Sequence, residues 1–301
     1  MRIFLIILLV FLLIIPFAFC GYLIFFNLFY RKYFSKKGKF LKAQNKRFLV
    51  ENKEFDNSSF EGFAEIKCLS RGVVLKGRYK NNAKDKLAIL LHSFGADYRQ
   101  MWMVSDYFRY QDYDVLAIDL RAHGASGGEC RFGTEEGEDL LAWIDHVCAL
   151  NPNYKIVLYG IGIGADACLT ALDKFPRNVK IIFCESAYDS IRRELSFIIS
   201  KSKIKPPRNA FFKFLKRTKE INFKDNEIAQ NLKISSIPVI IMHDEKDDIV
   251  PVEMAYSLQE ALPSFNKQIL ILPDCSHGEG IIRQPFKVKS LLEKNLKEHG
   301  L

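Results

Sequence analysis

Six short apolar runs, separated by stretches with helical periodicity, constrain this chain of 301 residues more than any other feature. They cover 87–91, 115–118, 156–159, 181–184, 239–242 and 269–272. Each is too short for a stable helix and rich in aliphatic residues, which predicts strands buried on both faces. Helical patterns fill most of the gaps, at about 97–110, 135–150, 163–175, 251–262 and 285–298. Thr134, followed by Glu135 and Glu136, is expected to start the second of these. Upstream, 63–69 and 73–79 read as an antiparallel hairpin turning at Ser70-Arg71-Gly72. Strand–helix alternation of this kind predicts an α/β fold with a doubly wound, mainly parallel sheet. The interval 187–236 breaks the rhythm with 12 basic and 5 acidic residues, Pro206-Pro207 and several Phe residues. It is expected to be a largely helical cap over the carboxyl edge of the sheet.

The first thirty residues follow different physics. From Ile3 to Tyr30 there are 28 residues without a charge, more than the ~20 that cross a bilayer as a helix. The run is too long for the apolar core of a secretory signal. It predicts an uncleaved transmembrane helix over 1–30, a basic juxtamembrane linker over 31–60 and a folded domain over 61–301. Residues 1–50 hold nine basic and no acidic residues, so the net charge of +9 belongs to this segment and the rest is balanced. That distribution argues against a nucleic-acid surface. Eight of the nine basic residues follow the apolar run. Flanking charge therefore predicts a single-pass cell-membrane protein with its soluble domain in the cytoplasm. Seven cysteines without a C-x-x-C pair provide no disulfide or zinc framework. No cofactor or metal site is expected.

In a doubly wound sheet, chemistry collects at the carboxyl ends of the strands. Five of those ends are distinctive. The first continues as His92-Ser93-Phe94-Gly95, and the second as Asp119-Leu120-Arg121-Ala122-His123-Gly124-Ala125-Ser126-Gly127-Gly128. The third is Gly160-Ile161-Gly162-Ile163-Gly164. The last two are His243-Asp244-Glu245-Lys246-Asp247-Asp248-Ile249-Val250-Pro251 and Pro273-Asp274-Cys275-Ser276-His277-Gly278.

In order and spacing, these segments resemble the α/β-hydrolase superfamily over about 62–298, and especially membrane-anchored bacterial serine-hydrolase relatives. Members carry an H-G-F-type loop, a D-x-R-G-H-G-x-S-G-G segment, a G-x-S-x-G nucleophile elbow, an H-G-x-x-D-x-x-V-P acid motif and a late histidine. The resemblance implies Asp247 as the acid and His277 as the general base. It implies the backbone N–H groups of Phe94 and Ile163 as oxyanion donors. Asp119, Arg121 and His123 then read as scaffold.

The elbow departs from the family pattern, because the nucleophile position is Gly162. Glycine accepts the positive φ of such a turn freely but carries no attacking oxygen. The resemblance therefore implies a serine esterase or peptidase ancestry, while this residue implies an impaired pseudo-hydrolase that binds a ligand or partner. The alternative is a working hydrolase of ester, thioester or amide bonds. It would use a substitute nucleophile, with Ser93 foremost and Ser186, Cys184 or Cys168 behind it, or a water activated by His277. A small molecule or lipid-like acyl compound is the expected ligand class, and no protein partner is identified. Gly160-x-Gly162-x-x-Ala165 also fits a dinucleotide fingerprint, with Glu185 placed 25 residues after Gly160. Its position at the fifth strand and the surrounding hydrolase landmarks disfavour that reading.

Overall fold

The computed structural model describes residues 2–34, 57–224, 227–232, 235–263 and 267–301. Most of the basic linker expected over 31–60 lies outside the described residues. Eight strands form one sheet: β1 (Ala64–Ser70), β2 (Val73–Lys80), β3 (Lys86–Leu91), β4 (Asp114–Asp119), β5 (Lys155–Ile161), β6 (Val179–Glu185), β7 (Val239–Asp244) and β8 (Lys267–Leu272). Their order is β1-β2-β4-β3-β5-β6-β7-β8. The hairpin β1–β2 pairs antiparallel and β2 joins β4 antiparallel; β4, β3, β5, β6, β7 and β8 run parallel.

Successive residues of a strand point to opposite faces, and the apolar runs supply both. Leu87, Ile89, Leu116, Ile156, Leu158 and Ile241 enter one core, with α3 (Thr134–Leu150) and α4 (Ile163–Thr170). Ala88, Leu90, Val115, Val157, Phe183 and Met242 enter the other, with α2 (Trp102–Tyr110) and a C-terminal helix, Pro285–Glu298. The sheet is therefore covered on both sides, as the uninterrupted apolar runs require. β8 is the exception: it was expected to be buried on both faces, but as an edge strand it is mostly half-buried. The start of α3 also differs in detail. Gly133 holds the cap position, its N–H donates to Glu136 Oε2 at 2.8 Å, and Thr134 is already helical.

The cap carries α5 (Ile191–Lys201), α6 (Arg208–Thr218) and the short α7 (Ile228–Asn231). Helix α8 (Glu253–Ala261) follows β7, and the turn α9 (Gly280–Arg283) precedes the last helix, α10. Phe211, Phe212, Phe214 and Phe223 of the cap are buried, while Lys213, Lys216 and Arg217 are exposed. The aromatic residues thus pack inward and the basic ones are solvated.

The N-terminal run is one helix, α1 (Arg2–Phe34). Its later turns dock on the cap rather than standing apart. Phe26 lies 5.5 Å from Phe211 and 5.6 Å from Phe214 between ring centroids, and Phe29 lies 5.2 Å from Phe211. The Tyr22 hydroxyl donates to the Ala210 carbonyl at 2.8 Å. Phe17, Ile24 and Leu28 remain exposed, at 82%, 60% and 61%. Among the described residues, no helix is long and apolar enough to cross a membrane.

The segment after β4 is scaffold. Asp119 accepts the N–H groups of Tyr98 and Ala125, and Arg121 makes a two-pronged pair with Asp139, both contacts at 2.7 Å. Arg121 also pairs with Glu135, and the Arg121 and Asp139 side chains are 4% and 2% exposed. Truncating one partner leaves a buried charge uncompensated. Arg121→Ala should cost about 3–5 kcal/mol of unfolding free energy, read from urea denaturation.

Candidate active site

Strand β5 ends at Ile161 and α4 begins at Ile163, so the chain reverses on Gly162 alone. Its backbone stands at φ 52°, ψ −120°. A side chain there is strained, and glycine is not. The flanking glycines answer a different demand. A Cβ on Gly160 would lie 2.5 Å from the Gly164 carbonyl, and one on Gly164 would lie 2.5 Å from the Leu91 carbonyl oxygen. Both positions exclude larger residues because α4 starts hard against the ends of β5 and β3. That contact sets the Ser93–Phe94 loop beside the turn. The Ser93 N–H is in turn fixed by Gln100 Oε1 at 2.6 Å.

Asp247 and His277 meet at the same end of the sheet. His277 Nδ1–H donates to Asp247 Oδ2 at 2.7 Å, and Asp247 Oδ1 accepts the N–H groups of Ile249 and Val250, both at 2.8 Å. The Asp247 side chain is fully buried and that of His277 is 9% exposed. Burial alone would raise the Asp247 pKa, but the His277 charge, with the hydrogen bonds, outweighs it and holds the carboxyl below its ordinary range. Burial would likewise lower His277, yet Asp247 beside it raises the imidazole to about 9. A Cβ built on Gly162 would lie 2.9 Å from His277 Nε2 and 3.4 Å from Ser93 Cβ. The imidazole is therefore aimed at the bare elbow.

The histidine loop is held from beneath by two carboxyl groups that sequence reasoning did not assign to it. Gly278 N–H donates to Asp244 Oδ2 at 2.8 Å, and Gly280 N–H donates to Glu185 Oε1 at 2.9 Å. Tyr159 donates its hydroxyl to Glu185, and Ser186 donates to Asp244 at 3.1 Å. Both acids are fully buried, and burial raises both pKa values. Glu194, on the buried face of α5, was also missed. Burial pushes it up to about 8, and it senses the charges of His277 and Asp247. Its sequence signal was an acidic residue in register with Ile191, Leu195 and Ile198.

Glu185 is thus occupied inside the protein and does not serve a ribose. The other candidates separate clearly. Ser93 borders the elbow. Ser186 is buried beneath it and bonded to Asp244. Burial drives the thiol pKa values of Cys168 and Cys184 upward, the opposite of an activated thiolate. Asp248 is exposed, unlike Asp247.

This sheet order, with the elbow at β5, an acid after β7 and a histidine after β8, is that of the α/β-hydrolase fold. Residues 82–218 match the family model described as "Serine aminopeptidase, S33". An esterase of Pyrococcus furiosus shares the fold at TM-score 0.65 and 24% identity, covering 80% of this chain and 94% of that one. A Xanthomonas campestris α/β serine hydrolase without a lid matches at TM-score 0.56 and 15% identity, over 79% and 95% of the two chains. A Saccharomyces cerevisiae protein described as an uncharacterized membrane protein is 26% identical over 190 residues. The chain spans 61% of that relative's length. The protein is accordingly an α/β-hydrolase-fold protein with hydrolase-like relatives.

Replacing Asp247 with Asn removes the charge that raises His277 while leaving it buried. In Asp247→Asn the His277 pKa should fall from about 9 to its ordinary 6.5 or below, followed by NMR titration of the imidazole Cε1 proton.

Proposed function

We propose that this protein is a disarmed hydrolase whose inherited site binds a ligand or partner. Gly162 stands where the family's serine would attack, and Asp247 and His277 keep the acid and base places, with the Phe94 and Ile163 N–H groups as oxyanion donors. The observation that carries the reading is the bare Gly162 turn, with His277 Nε2 2.9 Å from where a Cβ would sit. Loss of the nucleophile from a triad enzyme lowers turnover by about 10⁶, so the acyl-enzyme route is closed. Asp247→Asn or His277→Ala would then change binding rather than hydrolysis.

Restoring the oxygen tests this. Gly162→Ser forces a side chain into positive φ and requires the His277 ring, 2.9 Å from the new Cβ, to shift. It should cost about 1–3 kcal/mol of stability and make the protein label with a fluorophosphonate probe that does not label the wild type. Wild-type labelling lost in Ser93→Ala would overturn the disarmed reading in favour of Ser93 as nucleophile.

The same reading places the protein at the cell membrane, held by the charge-free N-terminal run, with the folded domain cytoplasmic. The charge-free run supports it, as do the exposed Phe17, Ile24 and Leu28 and the membrane description of the yeast relative. The full chain should remain in the membrane pellet after alkaline carbonate extraction, and a protease added outside spheroplasts should leave it intact. Release into the supernatant would overturn the anchor.

A further inference from the structure

We propose that the bare elbow is a carboxylate receptor, in which His277 Nε2–H and the N–H groups at the start of α4 grip the head of a small acyl-type monocarboxylate. The inference rests on the disarmed-site reading and names the ligand class for it. His277 Nδ1 is committed to Asp247, while Nε2 belongs to a side chain only 9% exposed and points at Gly162. In a serine triad the partner of that nitrogen is the hydroxyl oxygen. Glycine supplies none, which leaves Nε2–H facing a place that a ligand's acceptor atom can fill.

The second half of the grip is backbone. Gly162 is the residue capping α4, and the N–H groups of a helix's first turn have no acceptor within the helix. They carry partial positive charge and favour an anion. A planar carboxylate reaches both parts, with one oxygen on Nε2–H and the other on the backbone donors. The surroundings suit an apolar tail: the Phe94 and Phe132 rings lie 5.5 Å apart between centroids, tilted by 31°, and Ile163 at the start of α4 is buried. A doubly charged phosphate would bring more negative charge than one imidazolium and neutral N–H groups offset in a buried site.

The charged groups around the imidazole agree with this sign. Asp247, in the loop after β7, is the ionised partner of His277. Burial keeps Asp244 at the end of β7 and Glu185 at the end of β6 raised, and pushes Glu194 on α5 up to about 8. Burial lowers the pKa of His243, 3.9 Å from Asp247, and so favours its neutral form. At pH 7 the site thus presents a cationic His277 and an uncharged Glu194. As pH rises through 8 and 9, Glu194 ionises and His277 loses its proton, and both changes oppose an anion.

The test is isothermal titration of the full chain in nanodiscs with sodium butyrate, and with butanol as the uncharged control. Saturable butyrate binding at pH 7 is expected, at least tenfold weaker in His277→Gln and in Gly162→Ser, where the new oxygen takes up Nε2. The wild-type affinity should fall at least tenfold between pH 7 and pH 10. That arm needs no variant, so a variant that fails to fold leaves the proposal falsifiable. Absence of saturable binding, equal binding of butanol, or an affinity flat from pH 7 to pH 10 would overturn it. Failure of the underlying reading looks different: wild-type hydrolysis of p-nitrophenyl butyrate would sink the disarmed site. Fluorophosphonate labelling of Gly162→Ser without butyrate binding by the wild type would sink the receptor alone.

Discussion

The close approach of α4 to the ends of β3 and β5 governs the functional end of this molecule. Two backbone surfaces meet there with no room for a Cβ: Gly160 faces the Gly164 carbonyl, and Gly164 faces the Leu91 carbonyl, each at 2.5 Å from where a Cβ would stand. With both neighbours pinned, the single residue between strand and helix must reverse the chain, and Gly162 takes φ 52° to do it. The same contact carries the start of α4 to the Ser93–Phe94 loop. The pairing of β3 with β5 and this contact together fix the position of that loop.

Electrostatics at this end turns on which buried acid faces the imidazolium and which faces other acids. Asp244 and Asp247 lie three residues apart and both side chains are fully buried, yet their pKa values move in opposite directions. Asp247 accepts two backbone N–H groups and faces an imidazolium, which outweigh its desolvation. Asp244 accepts from Gly278 and Ser186 on one oxygen, while among the described residues its Oδ1 has no donor and Glu185 stands nearby. Two ionised carboxylates so placed would repel in a low-dielectric interior. The chain thus favours charge on the acid that faces the histidine, while burial raises the pKa values of the acids beneath it that hold the loop.

Much of this was legible in the sequence because it is local. Apolar runs fixed at strand length, five of the six followed by a distinctive loop, placed β3 to β8 and brought Asp247, His277 and Gly162 to one edge. What was not legible depends on neighbours far along the chain. The half-burial of β8 follows from its place at the sheet edge, which an apolar pattern does not encode. Glu185 and Asp244 anchor the histidine loop through Gly280 and Gly278, across sequence separations of 95 and 34. The docking of α1 on α6 joins residues 188 apart through Tyr22 and Ala210. An aromatic stripe on an apolar helix looks alike whether it meets lipid or protein.

Gly162 separates the fold from its chemistry. A serine at this turn must hold an L side chain at positive φ, and that strain is sustained only by the packing around it. Glycine removes the strain together with the oxygen, so the strand, turn and helix persist without the reactive atom. The Asp247–His277 pair does not depend on that atom either, because Asp247 is held by Ile249 and Val250 and the histidine loop by Asp244 and Glu185. On the proposed reading, such a site loses its nucleophile without losing its shape. What remains is a buried imidazole with one nitrogen bonded to Asp247 and the other facing the start of a helix, the geometry from which the proposed recognition of a carboxylate is argued.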